Sequence, residues 1–398
     1  MDALFTATSA FTATGLTSVE VGETLTLFGQ IVILVLIKLG GIGIVTFAIL
    51  AFMMLGKKIG FKERLMIQQT LDQVSLGGII KLVRSIFIYS ILIEATATIL
   101  LTVRWIPVYG FWRGFYYSLF HAVSAFNNAG ISVFPNGLSS YTSDPMVSFV
   151  MTTLFIIGGL GFTVLIDLKH KRSLSKLSLH SKIMLVGTLV FNLGGTLLFL
   201  LLETSNPATL GMLSGGSQVM VSYFQATSTR TAGFNAISVG YFRAPTMMIM
   251  LFLMFIGAGS AATSGGIKLT TFFVITLSSM TFIKGRKRVT IGRRTIKEKV
   301  VIRSFTILSI SILLLFLSLF MLTLTEELPT NKLFFEVVSA FSTAGLSIGV
   351  TEDLTYVGRF IMMVLMFFGK VGPLTLAFSL AKVSQNKIIY PSEDILIG

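Results

Sequence analysis

Four nine-residue stretches hold the residues whose types and spacing suggest chemistry: SAFTATGLT from Ser9, SAFNNAGIS from Ser124, TSTRTAGFN from Thr227 and SAFSTAGLS from Ser339. Each ends a short apolar segment that would begin as a helix. Each then delivers a small residue, a glycine and a bulky apolar residue, a helix-to-extended switch that glycine makes sterically cheap. Gly15, Gly130, Gly233 and Gly345 are separated by 115 (15 to 130), 103 (130 to 233) and 112 (233 to 345) residues. That period is too long for a solenoid and suits a unit of two membrane spans with a re-entrant loop between them. A re-entrant helix ending at mid-membrane exposes unpaired carbonyls, and an extended segment after it points more carbonyls at the symmetry axis. A dehydrated monovalent cation is the natural guest of such a ring, because carbonyl dipoles replace its hydration shell without adding fixed charge. The candidate ring residues are Thr12, Ala13, Thr14 and Gly15; Asn127, Asn128, Ala129 and Gly130; Arg230, Thr231, Ala232 and Gly233; and Ser342, Thr343, Ala344 and Gly345. One such glycine alone would be a loop turn. Four in matched contexts reverse that preference.

The elements that must position these loops are membrane spans. The chain has 398 residues, 53% hydrophobic and 12% charged, with a mean hydropathy of +0.86, far too apolar for a water-soluble globule. The formal charge of +14 is bunched between hydrophobic spans, as in cytoplasmic loops, and does not point to nucleic acid. With no cysteine, disulfides and thiolate metal sites are excluded, and His121, His170 and His180 are too few and scattered for a zinc site.

The expected fold is an all-α polytopic membrane protein with four pseudo-repeated helix, pore-loop, helix units around one pore. The first unit, 1–56, opens on a half-span and lacks an outer helix, so the start reads as truncated; its inner span is expected over 27–55, broken in its middle by GGIG at 40–43. A connector at 57–77 leads to the second unit, 78–168, with a re-entrant segment at 114–128 and an inner helix over 145–168. A basic loop follows at 169–182. The third unit, 183–283, has its re-entrant segment at 215–229 and an inner span from 244 that is too long and interrupted. A second basic loop, 284–299, precedes the fourth unit, 300–381, whose inner helix is expected over 355–381, and a tail at 382–398. This gives seven full spans. The asymmetry of basic and acidic loops puts Met1 outside and Gly398 inside a plasma membrane.

The interruption is GAGSAATSGGIK, in which Gly257, Gly259, Gly265 and Gly266 each cost about 1 kcal/mol against alanine in a helix. It reads as a flexible flap across the conduction path, closed by Ser260, Thr263, Ser264 and Lys268; the alternative is a kink for close helix packing. Three intramembrane charges need an explanation. Arg230 should point away from the pore and brace its loop, against Glu94 or Glu336 or another partner. Lys38 has the bland reading of snorkelling to the inner interface. Lys370, in GKVG, aligns with the glycine clusters of the other inner spans and is expected to line the pore below the ring.

With these motifs the sequence resembles the membrane subunit of Ktr-type potassium uptake systems, in the Ktr/Trk/HKT superfamily of potassium transporters. The resemblance covers the whole chain except the first outer helix. It implies that Gly15, Gly130, Gly233 and Gly345 belong to a selectivity filter, and that the substrate is potassium, since superfamily members with serine at the first position tend to favour sodium. It also implies a basic residue at Lys370 facing the permeation path, a homodimer with one pore per protomer, and a cytosolic ring of RCK-type subunits that binds nucleotide and controls the gate. The basic loops are candidates for docking that ring, or serve topology and anionic lipid contact. No covalent cofactor is expected; coupling to sodium is left open. Two other functions compete: sodium conduction within the same superfamily, and an intramembrane serine protease using Ser260 with His121 or His180, which would leave the fourfold pattern unexplained.

Overall fold

The computed structural model describes residues 1–43 and 79–372 except positions 136, 172, 261, 287, 292 and 293. Among the described residues, three helices are long and apolar enough to cross a bilayer unbroken: α4 (Ile79–Tyr109), α8 (Leu179–Glu203) and α12 (Glu298–Thr325). Their outward faces carry exposed leucine, isoleucine and phenylalanine, such as Leu197, Leu313, Phe316 and Phe320, a surface suited to lipid and not to water. These are the outer helices.

Inside them lie four shorter helices that stop in the protein interior: α1 (Asp2–Thr12), α5 (Phe111–Phe126), α9 (Gly215–Thr231) and α13 (Thr330–Ser342). The C-terminal halves of α5, α9 and α13 are buried almost completely, with Phe120, Phe126, Phe224, Phe335 and Phe341 at 2% exposure or less, and α1 buries Ser9, Ala10 and Thr12. Each is followed by a returning loop and then an inner helix: α3 (Leu27–Ile42, after the single turn α2, Val21–Thr24), α6 (Pro145–Leu160), α10 (Ala244–Phe255) and α14 (Tyr356–Val371). Three inner helices start on a side-chain cap. Thr26 accepts from the Gly29 N–H, Asp144 from Met146 and Val147, and Thr355 from Gly358.

Three of the inner helices stop beside glycines. The first two helices stop at the glycine clusters that the sequence places inside their spans, at Ile42 and Leu160, and the fourth stops at Val371, within its GKVG cluster. The next residue in each case is a glycine with φ near +90°, Gly43, Gly161 and Gly372, a conformation a side chain would strain. After Gly161 the chain turns by 93° into α7 (Phe162–Lys171). Among the described residues there are three unbroken spans, one bent pair and shorter helices. The third inner span is interrupted as expected, resuming as α11 (Leu269–Ile283). The second basic loop carries a short antiparallel pair, β1 (Thr290–Ile291) and β2 (Arg294–Thr295). The remainder of the first and fourth inner spans, the connector at 57–77 and the tail lie outside the described residues.

Candidate ion-coordinating site

The four short helices end in nearly the same turn. The Thr14, Ala129 and Ala344 N–H groups return to the Ser9, Ser124 and Ser339 carbonyls at 2.8, 2.9 and 2.9 Å, and Ala232 and Gly233 both return to Ser228. In three of them the residue that turns left-handed is Ala13, Asn128 or Thr343, not glycine. The expectation that glycine makes the helix-to-extended switch is therefore corrected. The glycines come two residues later and take positive φ for another reason, which is crowding. A Cβ on Gly15 would stand 2.7 Å from the Ala129 carbonyl oxygen, on Gly130 2.8 Å from that of Ala232, on Gly233 2.4 Å from that of Ala344, and on Gly345 2.1 Å from that of Thr14. The contacts run 15, 130, 233, 345 and back to 15. The four segments thus close into a ring whose neighbouring backbones touch, which only glycine permits.

Serines hold the ring from behind. The Gly15 N–H donates to Ser9 Oγ at 3.0 Å, while Ser124 and Ser228 donate to the Ile131 and Phe234 carbonyls at 2.7 and 2.6 Å. The glycine pairs of the inner helices meet the ring from below. A Cβ on Gly40, Gly158 or Gly369 would fall 1.7, 2.0 or 1.9 Å from the carbonyl oxygen of Phe11, Phe126 or Phe341, so each inner helix presses on the last turn of its short helix.

Several candidate ring residues turn their side chains elsewhere. Asn127 donates to Glu94 Oε1 at 3.0 Å, and Arg230 donates to Asn192 Oδ1 and Thr188 Oγ1, each at 3.2 Å. Both expected partners of Arg230 are thereby corrected: Glu94 and Glu336 are engaged by other groups, and the arginine reaches neutral groups on α8. Lys38 does not snorkel. Its ammonium lies 2.6 Å from Glu94 and 2.5 Å from Ser90, joining α3 to α4 behind Asn127. An intramembrane cation and anion on different spans was the available signal for this pair; their approach was not legible. Thr12 Oγ1 meets Thr14 Oγ1 at 2.7 Å, within its own segment.

The interruption at 256–268 lies against the underside of the ring. Thr263 Oγ1 accepts from Asn128 Nδ2 at 2.7 Å, and Thr343 Oγ1 accepts from the Gly265 N–H at 2.6 Å. Gly259 N–H donates to the Gly159 carbonyl and Gly266 N–H to the Gly369 carbonyl. Gly257 N–H donates to Ile267 O, closing the interruption on itself. Lys268 donates to the Ser264 carbonyl at 2.6 Å, and Lys370 donates to the Thr263 carbonyl. Lys370 therefore holds the interruption directly. Ser264 Oγ is buried without a partner among the described residues, and Ser260 meets only Thr270, at 3.4 Å. The serine–histidine pairing fails for His121, whose ring nitrogens lie 2.8 Å from the Tyr117 carbonyl and 2.9 Å from Ser132 Oγ.

On the other side the ring opens into a cavity of about 740 Å³, lined at its base by all four glycines and at its rim by Glu20 and Glu352. Burial first, and then repulsion from Glu23 and Glu352, push the Glu20 carboxyl up from its ordinary range. Four touching backbone segments thus lie between a cavity edged by Glu20 and Glu352 and the interruption at 256–268.

Residues 1–389 match the TrkH family, described as cation transport protein. The chain is 49% identical over 398 residues to Ktr system potassium uptake protein B of Bacillus subtilis, covering 100% of this chain and 89% of that one. It is 41% identical to Ktr system potassium uptake protein B of Vibrio alginolyticus (100% and 88% covered), and 35% identical to potassium/sodium uptake protein NtpJ of Enterococcus hirae (100% and 90% covered). Its fold matches the potassium transporter TrkH from Vibrio parahaemolyticus with a TM-score of 0.75 at 19% identity, over 96% of this chain and 78% of that one. A predominantly helical membrane chain with this architecture, these relatives and this family match is a transporter and not an enzyme: it belongs to the TrkH family of cation transport proteins.

Proposed function

We propose that the protein mediates potassium-selective uptake across the plasma membrane through a gated, channel-like pore. The observation that carries this reading is the closed ring of Gly15, Gly130, Gly233 and Gly345, each in contact with the carbonyl-bearing backbone of the next segment. Carbonyl oxygens around one axis replace the water of a dehydrated monovalent cation. In this reading the filter is formed by the four segments ending at these glycines, and the acidic vestibule faces outward. The basic loops at 169–182 and 284–299 and the C-terminus face the cytoplasm.

The interruption at 256–268 is the gate. Non-helical backbone at membrane depth is tolerated where protein buries it or water reaches it, and here it lies directly under the filter. A cytosolic RCK-type nucleotide-binding ring would dock on the basic loops and bias the gate by moving α11; the relatives named as proteins B of a Ktr system support a multi-subunit assembly. The protein acts as a homodimer in this reading, with a pore in each protomer.

The test is Gly345→Ser, whose side chain would enter at 2.1 Å from the Thr14 carbonyl. Potassium over sodium selectivity in proteoliposomes should fall, with failure of potassium-limited growth; unchanged selectivity in an assembled protein removes Gly345 from the filter. Sodium conduction, alone or coupled, is the second reading, favoured by the potassium/sodium name of one relative. Flux with sodium varied on both sides of the vesicle separates the two.

A further inference from the structure

Glu336 is fully buried in α13, nine residues before Gly345, and no cation forms an ion pair with it among the described residues. Its carboxylate instead gathers the segment that leaves the ring. Oε1 accepts from Ser347 Oγ at 2.5 Å and from the Ile348 N–H at 3.0 Å; Oε2 accepts from Thr351 Oγ1 at 2.9 Å. Ser347 in turn accepts from the Gly349 N–H at 2.9 Å. Ser347 and Thr351 line the vestibule.

The second segment is built on the same plan. His121 lies nine residues before Gly130, its Nε2 is 2.9 Å from Ser132 Oγ, and Ser132 accepts from the Phe134 N–H at 2.9 Å. Ser132 and Ser347 each stand two residues past their ring glycine, and Gly130 and Gly345 are opposite each other in the ring. At the same offset the first segment has Thr6, whose buried hydroxyl has no partner among the described residues, and the third has Phe224. At this offset, among the described residues, an ionisable short-helix residue meets the exit of the ring at two opposed segments.

We infer that Glu336 is a positioning residue that sets ion discrimination, by holding the Ser347–Thr351 exit of the fourth segment so that the carbonyls before Gly345 keep their spacing. A buried carboxylate that accepts three hydrogen bonds is held far more rigidly than a loop on water, and breaking one such bond leaves a desolvated group unpaired. The brace needs no contact with the ion.

This inference rests on the assignment of the four segments to the filter. The experiment compares Glu336→Gln, Ser347→Ala, their double variant and Glu326→Gln in proteoliposomes, reading potassium over sodium permeability and thermal unfolding together. Glu326 is also a buried carboxylate, bonded to the Thr355 N–H and hydroxyl, but it caps α14 away from the ring. Glu336→Gln keeps the shape and removes the charge and one acceptor, so discrimination should fall about tenfold. Ser347→Ala should fall by a similar factor, and the double variant no further than the worse single, since both act through one bond. Glu326→Gln should lower the unfolding temperature with wild-type discrimination. Wild-type discrimination in Glu336→Gln overturns the inference. If that variant does not assemble, Ser347→Ala and Thr351→Val take its place, and unchanged discrimination in both overturns it equally. Gly345→Ser separates the two levels: if it alters selectivity while these variants do not, the filter assignment stands and the brace falls.

Discussion

Asn128 Nδ2 donates to Thr263 Oγ1 at 2.7 Å, tying the second ring segment to the interruption of the third inner span across 135 residues of sequence. On the adjoining side of the interruption Thr343 of the fourth segment accepts from the Gly265 N–H, and Lys370 grips the Thr263 carbonyl. The interruption is therefore latched to ring and inner helix at once, and it cannot leave the axis without breaking these bonds. Each contributes about 0.5–1.5 kcal/mol net, more where a charged group donates, so the latched arrangement is favoured by a few kcal/mol. That is the range a partner subunit can overcome by binding one state better.

Loosening the latch should therefore open the path. Thr263→Val and Lys370→Gln are each expected to raise potassium flux in proteoliposomes severalfold, and deletion of 260–264 to raise it most and to weaken control by nucleotide-bound partner. Wild-type flux with full nucleotide control in the assembled deletion protein would place the gate elsewhere and leave the interruption as a packing feature.

The Lys38–Glu94 pair should dominate the stability of the first and second units against each other. Removing one partner of a buried ion pair strands the other, at a cost of about 3–5 kcal/mol, whereas removing both charges costs much less. Lys38→Met should lower the unfolding temperature in detergent more than the Lys38→Met, Glu94→Gln double variant. A double variant that melts below the single would show that Glu94 is stabilised by groups other than Lys38, with Ser90 and Asn127 the remaining donors.

Acid should undo the cap of α6. Burial pushes the Asp144 carboxyl up, but the Arg104 guanidinium with the Val147 and Met146 N–H groups outweighs it and holds the group below its ordinary value. A carboxylate depressed in the folded state stabilises the fold above its unfolded value, and that contribution is lost as pH falls through the folded value. Wild type should thus melt above Asp144→Asn at pH 5 to 7, the gap closing below about pH 4. A gap that persists undiminished to pH 3 would mean that the ionised cap is not its source.

Much of this architecture is written along the chain. The apolar composition, the basic loops and the four copies of one motif are local patterns, because a membrane span needs a run of apolar residues and a backbone ring needs glycine wherever two chains touch. Arg230's turn away from the axis was legible for a similar reason, since a cation facing the ring would repel its cargo. Only the folded chain decided the rest. Which glycine stands against which carbonyl, how sharply the chain turns after Gly161, and that Lys38 finds Glu94 while Glu336 gathers Ser347 and Thr351 are relations that local sequence does not carry. Hydropathy averages over a window and cannot register a single backbone angle or a partner on another helix, and in the membrane interior it is those partners, not water, that each polar group must find.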